Sequence, residues 1–184
     1  RSEPIAIVGI GCRLPGGASS PQAFWDLLAA GRDAVVPLET RWNQLGVKPD
    51  ESLPRWAALL TEPLDEFEPQ FFGISPREAR SMDPQQRLIL EVAWESLEDA
   101  GMAPNSLKDS RPGVFVAACS DDYSTLVERQ PATEKDAYCT TGSMLSILAG
   151  RLSYTLGLQG PCFTIDTACS SSLVAIHQAC RSLR

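Results

Sequence analysis

The chain has 184 residues, 43% of them hydrophobic and 21% charged, and carries a formal net charge of −7. Those values suit a soluble globular protein, one domain or part of a larger one, and exclude a disordered chain. The acidic balance and the lack of any Lys/Arg run exclude a nucleic-acid binder, and no apolar run approaches the roughly 18 residues that span a bilayer.

The chain opens on Arg1-Ser2-Glu3-Pro4 and runs straight into the apolar Ile5-Ala6-Ile7-Val8. At the other end Leu173, Ile176, Cys180 and Leu183 recur at helical spacing up to Arg184, with no Gly or Pro stop after them. Both ends are therefore expected to be the boundaries of an excerpt. Six cysteines stand at 12, 119, 139, 162, 169 and 180, with no C-x-x-C pair among them. With a single histidine, no metal site is expected. These counts point to a reduced, cytoplasmic protein with mostly buried thiols.

In chain order, Ile5 to Val8 is predicted to be a buried strand closed by Gly9. The Gly9-Ile10-Gly11-Cys12-Arg13-Leu14-Pro15-Gly16-Gly17 stretch is a loop. It fails as a dinucleotide fingerprint, because the third glycine would fall on Leu14 and Pro15 follows where a helix should be established. Ser20-Pro21 opens a helix with Phe24, Trp25, Leu27 and Leu28 as its apolar face. Residues 37–69 hold five prolines and read as an irregular surface connection, with one short helix around residues 56–60. Ser75-Pro76-Arg77-Glu78 carries a cap and a capping-box glutamate, and Asp83-Pro84 repeats the start signal. The second helix runs to about Ala100 with Leu88, Val92 and Leu97 inward and Gly101 as its stop. Val114-Phe115-Val116-Ala117 is a second buried strand. A helix bearing Met144, Leu148, Leu152 and Thr155 follows and ends at Gly157. Phe163-Thr164-Ile165-Asp166 is a third strand, leading at once into a helix near Ala168. Strands separated by helices imply an α/β layered fold with a largely parallel sheet.

The sharpest local feature is that last turn. A cysteine at the first turn of a helix meets unpaired backbone N–H groups and the positive end of the helix dipole, which favour thiolate over thiol. The same N–H groups can stabilise the oxyanion formed when a thioester carbonyl is attacked. Cys169 stands there, among the small Ala168, Ser170 and Ser171. Local physics leaves a plainer alternative open, since a lone cysteine is usually a small buried hydrophobe and serines are favoured at helix starts. His177 lies eight residues further on, about 12 Å along a helix, too far to serve Cys169 as a base.

Asp166-Thr167-Ala168-Cys169-Ser170-Ser171-Ser172-Leu173-Val174-Ala175 is similar, almost letter for letter, to the active-site signature of polyketide ketosynthases. Four further stretches resemble that family in order. They are Pro4 to Gly9, Phe71 to Ala79 joined by Met82 to Leu88, Ala149 to Tyr154, and Leu156 to Pro161. The chain thus resembles the N-terminal half of a β-ketoacyl synthase (ketosynthase) domain of a modular type I polyketide synthase. The resemblance implies an α/β, thiolase-like fold, layered α-β-α, with residues 1–184 its N-terminal part and the second half missing from this chain.

It also implies an activity: decarboxylative condensation, with Cys169 as the nucleophile and acyl-thioester site and its backbone N–H in the oxyanion hole. No cofactor is implied as bound directly, since substrates ride on the phosphopantetheine of acyl carrier protein. The implied partners are acyl carrier protein domains, the second half of the domain, a homodimer partner and an adjacent acyltransferase domain; nucleic acid and membrane are not among them. Cysteine rather than glutamine at 169 argues against a decarboxylase-only loading variant. Two family histidines belong to the second half, so the chain alone should lack condensing activity. The stretch from Glu39 to Glu68 is shorter than the usual family connection. The alternative is a non-elongating ketosynthase-like module that binds or gates acyl carrier protein without condensation. A thiolase-type enzyme acting on coenzyme A is more distant, since Asp83-Pro84-Gln85-Gln86-Arg87 belongs to the polyketide type.

Overall fold

Proline and serine punctuation sets the first elements. The computed structural model describes residues 3–39, 54–131, 133 and 135–184. Contacts divide the chain into two compact units, Gly11–Glu66 and a larger one formed by Arg1–Ile10 with Phe67–Arg184.

In the smaller unit, helix α1 (Pro21–Ala29) starts as expected, with Ser20 Oγ accepting from the Ala23 N–H at 3.1 Å. Of its expected apolar face only Leu27 is buried, while Phe24, Trp25 and Leu28 are exposed. Strand β1 (Val35–Pro37) pairs antiparallel with β2 (Trp56–Ala58), Val36 facing Ala57. The short helix expected around residues 56–60 is therefore a strand. A five-residue run cannot sustain a helix by itself, and an extended neighbour offers it a ladder instead. Residues 40–53 of that connection lie outside the described residues.

The larger unit holds the core. Helix α2 (Pro76–Ser81) is capped by Ser75, whose Oγ accepts from the Glu78 N–H at 3.1 Å. The reciprocal half of the capping box is not made, because Glu78 turns to Arg151. Helix α3 (Pro84–Asp99) is capped by the buried Asp83, whose Oδ1 accepts from the Gln85 N–H at 2.8 Å, and Gly101 ends it at φ 66°. Leu90 and Gln86 are its fully buried residues, whereas Leu88, Val92 and Leu97 are half-buried. The expected inward face is thus displaced toward the one that meets the sheet and the later helices.

Strand β3 (Val114–Ala117) pairs in parallel with β4 (Cys162–Ile165), Val114 opposite Cys162 and Ala117 opposite Ile165. A parallel pair needs a long crossover. Here it contains α4 (Asp122–Arg129), α5 (Tyr138–Ser143) and α6 (Ile147–Leu156), closed by Gly157 in the left-handed region. The sequence pattern did not anticipate α4 and α5, which are short and rich in poor helix formers. It also placed Met144 on α6, whereas Met144 caps α5 and is exposed.

Val114 and Val116 point into one cluster with Ile74, Met82, Leu90, Leu148, Ala149 and Leu152, so α3 and α6 cover that face. Phe115, one residue out of phase, turns away and meets the Phe163 ring at 5.8 Å. Helix α7 (Ser171–Ser182) packs on β3 outside this cluster, which completes a helix–sheet–helix layering.

Two stretches differ from expectation. Residues 5–8 form no strand and are exposed, Ile7 to 83%. No described strand takes up their backbone, and the segment is held instead by Asp99, whose Oδ2 accepts from the Ile10 N–H at 2.9 Å. Leu173 and Ile176 on α7 and Leu183 just after it are exposed, and Ala175 and Ser171 are the helix's buried residues.

One polar network ties the helices together. Arg151, on α6, donates from Nε to Gln86 Oε1 at 2.8 Å and from Nη1 to Glu78 Oε1 at 2.6 Å. Gln86 in turn donates to the Thr141 carbonyl at 3.0 Å.

Candidate active site

The end of β4 is an abrupt elbow. After Ile165 the Asp166 carboxylate folds back, its Oδ1 accepting from the Ala168 N–H at 2.9 Å. Ala168 adopts φ +54°, a left-handed conformation that disfavours any residue with a Cβ by roughly 1–2 kcal/mol. A 3-10 turn, Ala168–Ser170, follows and leads directly into α7. Cys169 stands in that turn, just before α7 rather than inside its first turn, and is exposed.

Three hydroxyls lace the elbow. Ser170 Oγ donates to the Thr167 carbonyl at 2.8 Å and lies 2.8 Å from Thr167 Oγ1. Ser171 Oγ accepts from the Thr167 N–H at 2.8 Å and donates to the Ala168 carbonyl at 2.7 Å. The amides of Thr167, Ala168, Ser170 and Ser171 all have acceptors. That of Cys169 has none among the described residues. Each serine of the triplet had a bland explanation as a helix-start residue; the structure gives Ser170 and Ser171 backward contacts that residue type alone does not reveal.

The remaining expected residues fall out plainly. His177 is on the exposed side of α7 and no other imidazole exists in the chain. Of the other cysteines, Cys139 is buried and Cys12, Cys162 and Cys180 are half-buried, but Cys119 is exposed. It lies two residues past the end of β3, the strand beside β4, so two exposed thiols rather than one occupy this end of the sheet. Among the described residues no group of three or more His, Cys, Asp or Glu is gathered as for a metal, and no helix is long and apolar enough to cross a membrane.

A polar cavity of about 420 Å³ lies elsewhere, lined by Arg77, Arg80, Tyr123, Lys135, Asp136 and Cys139. Burial acts to raise the Asp136 carboxyl, but the Tyr138 N–H, Arg77 and Ser81 outweigh it and hold the group below its ordinary range. Arg77 Nε reaches Asp136 Oδ2 at 3.1 Å.

A strand, a strained turn and an exposed thiol before a helix thus meet at one end of the parallel strand pair. Residues 2–184 match the model of the β-ketoacyl synthase N-terminal domain, and the chain belongs to that family. It is 49% identical to one of the phenolphthiocerol/phthiocerol polyketide synthase proteins of Mycobacterium tuberculosis, over 100% of this chain and 9% of that protein. It is also 49% identical to the pikromycin polyketide synthase component PikAII of Streptomyces venezuelae, over 99% of this chain and 5% of that one.

Among solved structures it resembles the ketosynthase from module 6 of the bacillaene synthase of Bacillus subtilis 168, with a TM-score of 0.79 and 34% identity, over 97% of this chain and 29% of that one. The oxazolomycin ketosynthase domain OzmH KS7 of Streptomyces albus JA3453 gives a TM-score of 0.81 and 36% identity, over 97% and 31%. The fold is accordingly the N-terminal half of a thiolase-like ketosynthase, and the chain spans only a small fraction of the curated relatives it matches.

Proposed function

We propose that residues 1–184 are the N-terminal part of a polyketide β-ketoacyl synthase domain and that Cys169 accepts the growing acyl chain. The observation that carries this is the elbow itself: an exposed thiol beside an amide with no acceptor among the described residues. In the first step the Cys169 sulfur attacks the carbonyl of an acyl thioester on the phosphopantetheine arm of an acyl carrier protein. Negative charge gathers on the carbonyl oxygen, where the Cys169 N–H donates to it. The tetrahedral species collapses, the carrier thiol departs, and the acyl group is left as a thioester on Cys169. In the second step a malonyl-type extender on a carrier loses carbon dioxide, and its enolate carbon attacks that thioester. A carbon–carbon bond forms and the Cys169 thiolate is released.

This chain supplies the first step only. Its single imidazole, His177, lies along α7 away from the elbow, so the groups that assist decarboxylation come from the second half of the domain. A homodimer, a neighbouring acyltransferase domain and a cytoplasmic setting complete the proposal.

The test is incubation of the full domain with acyl and malonyl carrier-protein thioesters, with adducts mapped by mass spectrometry. Acylation at Cys169 and chain extension, both lost in Cys169→Ala, are expected. An adduct that persists unchanged in that variant refutes the assignment. Acylation without any extension would favour the gating-module alternative.

A further inference from the structure

The planar peptide between Ala168 and Cys169 carries the Ala168 carbonyl on one side and the Cys169 N–H on the other. Fixing the direction of either group fixes the other. The carbonyl accepts twice from Ser171, from its backbone N–H and from its Oγ–H at 2.7 Å, and only the hydroxyl ties it on to Thr167 as well. Ser171 is 4% exposed, and its oxygen also takes the Thr167 N–H at 2.8 Å, which leaves the hydroxyl proton one direction in which to point.

A serine at a helix start ordinarily accepts from an amide further along the helix. Ser171 instead reaches backward, and Ser170, the residue flanking α7, makes no cap bond to that helix either. Both hydroxyls therefore act on residues 167–168. Ala168 holds φ +54°, a strained conformation for a residue with a Cβ, so the turn has somewhere to relax to if its restraints are cut. Relaxation would rotate the 168–169 peptide and swing the Cys169 N–H with it.

We propose that Ser171 is a positioning residue that aims the Cys169 N–H at the oxyanion. The inference rests on the acylation reading above. Ser171 touches neither the substrate nor the reacting sulfur; it acts through the peptide plane. Two reactions of the same thiol separate this role from a structural one. Acylation by a thioester develops an oxyanion, whereas alkylation by iodoacetamide displaces iodide and develops none.

In the full domain, Ser171→Ala should slow acylation of Cys169 by a thioester about tenfold to a hundredfold, since a misaimed oxyanion donor costs somewhat less than a deleted one. The rate of Cys169 alkylation should stay within about twofold of the wild type, as expected for a thiol left otherwise unchanged. Both rates are read as rate constants on the folded protein isolated by gel filtration, so that unfolded chains, whose thiol alkylates without acylating, do not enter the ratio. Ser171→Thr, which keeps the hydroxyl, should return the ratio to the wild-type value. If the alanine protein does not accumulate, Ser171→Cys, close in volume but a weak donor, should show the same fall. Wild-type protein that acylates at Cys169 while either hydroxyl-free variant keeps the wild-type ratio overturns the role of Ser171 alone. Wild-type protein that does not acylate at Cys169 overturns the acylation reading, and this inference with it.

Discussion

Two glycines lie in short helices and should respond oppositely to the same substitution. A Cβ at Gly142, in α5, would sit 1.9 Å from the Ser81 carbonyl oxygen and 2.6 Å from its carbon. Those are backbone atoms at the turn between α2 and α3, so no side chain can rotate away. The Gly142 carbonyl also accepts the Asp83 N–H at 2.7 Å, and the preceding carbonyl takes Gln86 Nε2 at 3.0 Å. Alanine gains about 1 kcal/mol of helix propensity over glycine. Against this, overpacking costs about 1–3 kcal/mol, and pushing α5 away strains two hydrogen bonds worth about 1 kcal/mol each. The clash wins, and Gly142→Ala should destabilise by about 2–4 kcal/mol. At Gly150, in α6, a Cβ meets nothing within 4 Å. Only the propensity gain remains there, so Gly150→Ala should stabilise by up to about 1 kcal/mol. Thermal unfolding of the full domain reads both. For a domain about twice this length, roughly 1–2 °C per kcal/mol gives a fall of about 2–8 °C for the first and a rise of up to about 2 °C for the second. A rise in melting temperature for Gly142→Ala would refute the close-approach argument.

Arg151→Met leaves the Gln86 oxygen buried without its donor and the Glu78 carboxylate, about a quarter exposed, without its partner. It should lower stability by about 2–4 kcal/mol in denaturant unfolding, and a change below about 0.5 kcal/mol would contradict the network. The Asp136 carboxyl, held below its ordinary value of 3.8, contributes stability that is present above that value and lost as pH falls through the lowered one. Asp136→Asn should therefore unfold at lower urea than the wild type at neutral pH, with the gap closing in strong acid; a gap that widens there is the wrong sign. Residues 1–184 alone should self-associate, because Ile7, Val8, Leu173 and Ile176 are exposed. Gel filtration showing a monomer with a sharp cooperative melt would contradict this.

Local punctuation was the most legible part of the sequence. Ser20, Ser75 and Asp83 each cap the helix expected of them, and Gly101 and Gly157 take the left-handed positions at helix ends. These are effects within a few residues, which a chain reports directly. Strands β3 and β4 were legible for a similar reason, as continuous apolar runs between turn signals. The segment at residues 5–8 has the same composition but no partner among the described residues, and a strand exists only in company. Trp56–Ala58 shows the converse, a run taken for helix until Val35–Pro37 offers it a ladder. The position of Cys169 was readable, whereas the work of its neighbours was not. Three adjacent serines look alike in sequence, and only the burial of Ser171 and its bonds back to Thr167 and Ala168 separate it from the exposed Ser172. Glu78 was read as half of a capping box because nothing local reveals a guanidinium arriving from seventy-three residues away.

That distant arrival bears on how hybrid synthases can be spliced. Glu78 and Gln86 come early and Arg151 comes late, yet the three share one set of hydrogen bonds. A junction placed between residues 86 and 151 takes the carboxylate and the amide from one parent and the guanidinium from the other. Parents that carry the same trio can be joined anywhere in that interval without disturbing it. Parents that differ at any one of the three cannot, and their surviving recombinants should show junctions before Glu78 or after Arg151, with a gap between.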